Sequence, residues 1–238
     1  PGHGVVHLDL LRQGADCIQR NLRLLALYLL LIAGSRTVAL VVYWRLGLLN
    51  PDPPQEIGLY NVLADLPLLI ITALGQAIVF AKLGEAIDRP LWKLSGTGEA
   101  MRKYFPLWLI LNGCAWTLNW LSIVMGEAGS LPALLLIVLG IVYLPVGACI
   151  MFNRAFSWAE AGRIVRPLLR EAPKALVVFT FSGVVFFAYF HFLLITENQR
   201  YLQPLVEIVF AYTDLLIFAA TWLLCILDRQ QPEDDVEL

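Results

Sequence analysis

Five ionisable residues stand inside apolar runs, and any chemistry of this chain starts from them: Arg36, Asp65, His191, Glu207 and Asp214. A charge near the centre of a membrane helix costs at least about 2.5–3.5 kcal/mol, so it normally meets a partner or water. Counting about 1.5 Å per residue puts Arg36 and Asp65 at similar depth on sequential, antiparallel runs. The spacing predicts an Arg36–Asp65 pair. It would be either a buried ion pair fixing a hairpin or a charge pair that binds or couples to a solute. His191 and Glu207 fall near the same end of the last two runs and form a second predicted pair. Asp214 follows Glu207 by seven residues, two helical turns, so the two share a face. In series, His191, Glu207 and Asp214 would form a proton ladder; the plainer reading is a polar face packed on neighbouring helices. Continued inward, that ladder would find only Asn112, Asn119 and Asn153.

Other chemistries lack their residues. His3 and His7 are spaced i, i+4, but only Asp9 stands near them, so they read as terminal chain and not as a metal site. There is no G-x-S-x-G nucleophile motif, and the glycines at Gly96 and Gly98 make a turn and not a phosphate cradle. A single histidine in an apolar run argues against a haem held by paired histidines. The expectation is therefore no enzyme, no metal and no cofactor. Cys17, Cys114, Cys149 and Cys225 have no paired spacing, and the last three read as buried small hydrophobes. A net charge of −2 supplies no field for nucleic acid.

The elements that would position these residues follow from composition. With 59% hydrophobic and 15% charged residues, a chain of 238 cannot hide its apolar surface as a water-soluble domain. Six runs reach the length of a membrane helix, over about 22–46, 59–83, 105–125, 131–152, 175–195 and 204–227. The first lacks a small-residue cleavage site and reads as a span, not a leader. The fold class predicted is all-α: a polytopic membrane protein with six transmembrane helices and interfacial amphipathic helices. Residues 1–21 read as an interfacial segment, with Leu8, Leu11, Ala15 and Ile18 on one helical face. Residues 228–238 read as an acidic, unstructured cytoplasmic tail. Basic residues gather at the N-terminus and in the loops after the second and fourth runs, which places both termini in the cytoplasm. Trp44, Trp92, Trp108 and Trp158 read as interfacial anchors, and Trp116 and Trp120 share a face that reads as lipid-facing or packing surface and not as a ligand box. Ala73, Ala77 and Ala81 form a small-residue stripe suited to close helix contact.

The segment 154–174 is basic and amphipathic. Arg163, Arg166, Arg170 and Lys174 are candidates for gripping anionic lipid headgroups, or they act only as topology determinants. Segments beginning at Gln13, Thr97 and Trp158 each place small and acidic residues before basic ones and then enter a span. This suggests three copies of a unit: interfacial helix, outward span, return span. The E-A-M-R-K-Y-F-P lead-in at 99–106 and the A-E-A-G-R-I-V-R-P lead-in at 159–167 flank a fourth run containing Pro145. In this layout the chain resembles the YciC-like family of six-span bacterial inner-membrane proteins, and the membrane domains found beside glycerophosphodiester phosphodiesterases. The resemblance implies a fold and a bacterial inner-membrane location, and it carries no catalytic residues. The first functional expectation is a non-catalytic accessory, scaffold or assembly subunit, with membrane lipids and other membrane protein subunits as partners. A small proton-coupled transporter using the intramembrane charges is the second, and a lipid-handling protein the third.

Overall fold

A computed structural model describes residues 9–47, 59–88, 96–153 and 160–230. Among them are eight α-helices and no strand. They are α1 (Asp9–Gln19), α2 (Leu22–Arg45), α3 (Leu59–Ile87), α4 (Thr97–Val124), α5 (Ser130–Asn153), α6 (Ala161–Arg170), α7 (Ala172–Ile195) and α8 (Gln203–Gln230). Six of these, all but α1 and α6, are long and apolar enough to cross a membrane. Each contains a run of aliphatic and aromatic residues whose backbone groups can be satisfied only within the helix once water is excluded. Gly47 and Gly126 end α2 and α4 with φ of 71° and 53°, the left-handed region that glycine enters without a Cβ clash.

The last span, α8, is the central one. It packs against α1, α2, α3, α5, α6 and α7. Its lower half meets a fully buried aromatic core: Phe80 of α3 stacks on Phe218 at 4.4 Å and meets Trp108 of α4 edge-on at 5.1 Å. Trp222 meets Phe152 of α5 at 5.1 Å. Two glycines hollow out room for the large rings. A Cβ on Gly147 would lie 2.5 Å from the Trp108 ring, and one on Gly84 would lie 2.7 Å from Trp222. The Ala73, Ala77 and Ala81 stripe is buried inside the chain, where α3 packs on α2 and α4.

Both short helices pack on the C-terminal half of α8 or the helices beside it, α1 against its middle and α6 near its end. Leu10, Gly14 and Ile18 bury one face of α1, with Gly14 against Leu216, Ala219 and Ala220 of α8. The buried face is turned by about one residue from the expected one and is directed at α8, with Ile18 common to both; Leu8 is outside the described residues. At the same end Asp228 draws in α6, lying 4.0 Å from Arg166 and 3.9 Å from Arg170. Its neighbour Arg229 lies 3.8 Å from Asp88 beyond α3. Thus α8 carries on to Gln230, past the expected end of the span, and Asp228 is buried structure rather than loose tail. The remainder of the expected tail lies outside the described residues.

Three further expectations change. The lead-in at Thr97 forms no separate interfacial helix: α4 starts there and runs unbroken through Pro106, so among the described helices only α1 and α6 fit the proposed repeat. Trp108 is buried in the aromatic core and anchors no interface, whereas Trp44 is 61% exposed; Trp92 and Trp158 lie outside the described residues. Cys149 and Cys225 are buried, with their Sγ atoms 3.5 Å apart across α5 and α8, but Cys114 is exposed.

Candidate functional site

Away from α1 and α6, the helices part around a cavity of about 290 Å³. Three carboxylates line it: Asp65 from α3, and Glu207 and Asp214 from α8. Asn112 and Asn119, seven residues apart on α4, face it as well. They belong to the same chamber as the acids and do not extend a path toward the other end. Rings supply much of the remaining wall, among them Trp116, Tyr143, Tyr189 and Phe210.

The predicted partners are exchanged. Arg36 pairs with Glu207, its Nε 3.6 Å from Oε1, and not with Asp65. Asp65 instead accepts from the Tyr43 hydroxyl at 3.0 Å and from the Trp116 indole at 3.5 Å. The register explains this. Gly75 of α3 packs on Tyr28 and Leu31 of α2. Counting ten residues outward from that contact puts Asp65 opposite about positions 38–41 of α2. Helical side chains lean toward their own N-terminus, so Tyr43 leans back to Asp65 while Arg36 leans away from it.

The second predicted pair is also replaced. Glu207 accepts a hydrogen bond of 2.8 Å from Tyr189, and His191 is exposed on α7. Residues i and i+2 of a helix point to nearly opposite sides, so the helix that offers Tyr189 to Glu207 must turn His191 outward. His191 is not among the described residues that line the cavity. Asp214 does share the cavity with Glu207, as their spacing requires, and its only hydrogen bond among the described residues is a long one of 3.4 Å from Tyr28. Beyond it the α8 pattern continues at the same interval. Thr221 is fully buried and bonds its own Ile217 carbonyl at 2.8 Å, and Asp228 closes the series among the ion pairs at the α1/α6 end.

The distribution of charge is uneven. Glu207 has a cation, whereas among the described residues no Lys, Arg or His nitrogen lies within 4.0 Å of Asp65 or Asp214. An unpaired carboxylate in a low-dielectric interior is costly and calls for a proton or a bound cation. No group of three or more His, Cys, Asp or Glu among the described residues is arranged to hold a metal. The sequence reading missed the hydroxyl and indole donors, Tyr28, Tyr43, Tyr189 and Trp116, because in an apolar run they count as hydrophobic. Their signal is the wet end of an amphipathic ring that must find an acceptor when buried.

The headgroup candidates are mostly occupied. Arg166 and Arg170 point to Asp228, and Lys174 lies 2.7 Å from Glu171. Arg163, the most exposed of the four, lies 3.8 Å from Glu160. No family model, curated protein or solved structure matches the chain.

Proposed function

We propose that this protein is a small membrane carrier whose solute site is the cavity between α2, α3, α4, α5, α7 and α8. The observation that carries the reading is the chamber itself, which Asp65, Glu207 and Asp214 all line, with a cationic partner among the described residues for Glu207 alone. Intramembrane carboxylates around a cavity are what solute and proton pathways use, because each must be neutralised and released in turn. A purely structural subunit has no use for that arrangement. The lipid-handling reading loses support because Arg166 and Arg170 of α6 lie beside Asp228 and Lys174 of α7 beside Glu171, which leaves Arg163 as the most exposed of the four. We place the chain in a bacterial inner membrane with the α1/α6 end in the cytoplasm, from the basic residues gathered at that end and the YciC-like layout.

The test is access. In a background lacking Cys17 and Cys114, Ala115→Cys puts a thiol on the cavity wall. A membrane-impermeant thiol reagent applied to sealed vesicles should label it from the side opposite α1 and α6, and protein reconstituted into liposomes should dissipate an imposed pH gradient. An unlabelled thiol and tight vesicles would overturn the carrier reading in favour of an accessory subunit.

A further inference from the structure

The geometry points to a small organic monocation, an amine bearing an apolar or aromatic group, as the ligand of this cavity. This rests on the carrier reading and names its substrate class. Asp214 is the anchor. Glu207 already holds Arg36 and Tyr189, and Asp65 holds two neutral donors at 3.0 and 3.5 Å. Asp214 has one 3.4 Å contact and faces the open volume, so it keeps acceptor capacity for an ammonium.

The wall is the second, independent observation. Trp116, Tyr143, Phe186, Tyr189, Phe190 and Phe210 all face the chamber. Their rings brace one another: Phe186 and Phe190 are 4.8 Å apart, Tyr189 and Phe210 5.0 Å. Aromatic faces attract ammonium groups through the ring quadrupole and accept apolar surface equally well. Inorganic cations instead need a close shell of oxygens, six or more for calcium or magnesium. A cavity of about 290 Å³ is far larger than one ion needs and is the size of a small-molecule site. Asn112, Asn119, Thr72 and Ser182 add polar edges without charge, so nothing on the wall rewards an anion.

A matched series of probes decides the matter: phenylethylamine, phenylethanol and phenylacetate, close in size and differing in charge. Each is titrated into the purified full chain in lipid nanodiscs, with thermal midpoint and direct calorimetry as readouts. Sodium and potassium chloride are titrated in parallel. Phenylethylamine should raise the midpoint and bind saturably, and the alcohol, the anion and the salts should not. Asp214→Asn should weaken amine binding at least about tenfold. If that variant does not fold, Phe190→Leu supplies the same test through a several-fold loss caused by removal of a ring face. Equal binding of the alcohol or anion, or binding of sodium or potassium alone, overturns the organic-cation assignment and leaves the carrier reading standing. No binding by any probe, together with an unlabelled Ala115→Cys thiol, overturns both.

Discussion

Glu207 is held twice, by the Tyr189 hydroxyl at 2.8 Å and by the Arg36 guanidinium at 3.6 Å, in a part of the bundle where both charged side chains are largely buried. Removing one partner of such a pair strands the other, at a cost of about 3–5 kcal/mol. Arg36→Met should therefore lower the unfolding free energy by about that much, read by denaturant titration in detergent. The double variant Arg36→Met/Glu207→Gln should recover most of the loss, because the amide still accepts from Tyr189. Asp65→Asn should cost only about 1 kcal/mol, since an amide carbonyl can accept from Tyr43 or Trp116. If Asp65→Asn were the more damaging change, the assignment of Arg36 to Glu207 would be wrong. At this scale the sequence revealed which residues are costly but not who meets whom. Depth along a span can be counted, but azimuth and the lean of the side chain cannot, and those two separate Arg36 from Asp65 and His191 from Glu207.

Helices were the most legible level, since an apolar run of sufficient length has few alternatives in a membrane. Their contacts were not legible, because they depend on which small residues face which large rings. Gly147 and Gly34 both lie within spans and look alike in the sequence. Gly147 cups the fully buried Trp108, so Gly147→Ala forces ring or backbone to shift and should cost about 1–3 kcal/mol. Gly34 is exposed, and a methyl group placed on its Cα would meet nothing within 4 Å, so Gly34→Ala should be neutral or stabilising by about 0.5–1 kcal/mol. Opposite signs in thermal melts would confirm the contrast; equal effects would refute the cupping of Trp108. A second expectation concerns α6. Asp228 draws both Arg166 and Arg170 toward α8, and its side chain is about 10% exposed. Asp228→Asn removes that charge, and hydrogen exchange over 161–170 should quicken while α8 itself stays protected. The sequence hid this contact by placing Asp228 at the head of what looked like an acidic tail, where the seven-residue rhythm from Glu207 through Asp214 and Thr221 was the available clue.

The molecule is asymmetric along its long axis. One half holds the carboxylate cavity; the other is filled by the aromatic core around Phe80, Phe218 and Trp222 and closed at its end by the Asp88–Arg229 and Asp228–Arg170 contacts. On the proposed carrier reading, which requires the site to be exposed alternately to both sides, this arrangement would be the state closed toward α1 and α6. Thr221 is the polar residue of the α8 series that lies inside the closed half, and its hydroxyl is turned back on its own helix. If opening runs along α8, Thr221 is where a moving proton or ammonium would next find an oxygen after Asp214. Thr221→Val keeps the shape and deletes that oxygen. It should leave probe binding at the cavity within about twofold and slow flux across liposomes several-fold, a split that a merely destabilising change would not give. Loss of binding in step with flux would show that Thr221 only packs, and would remove α8 as the route.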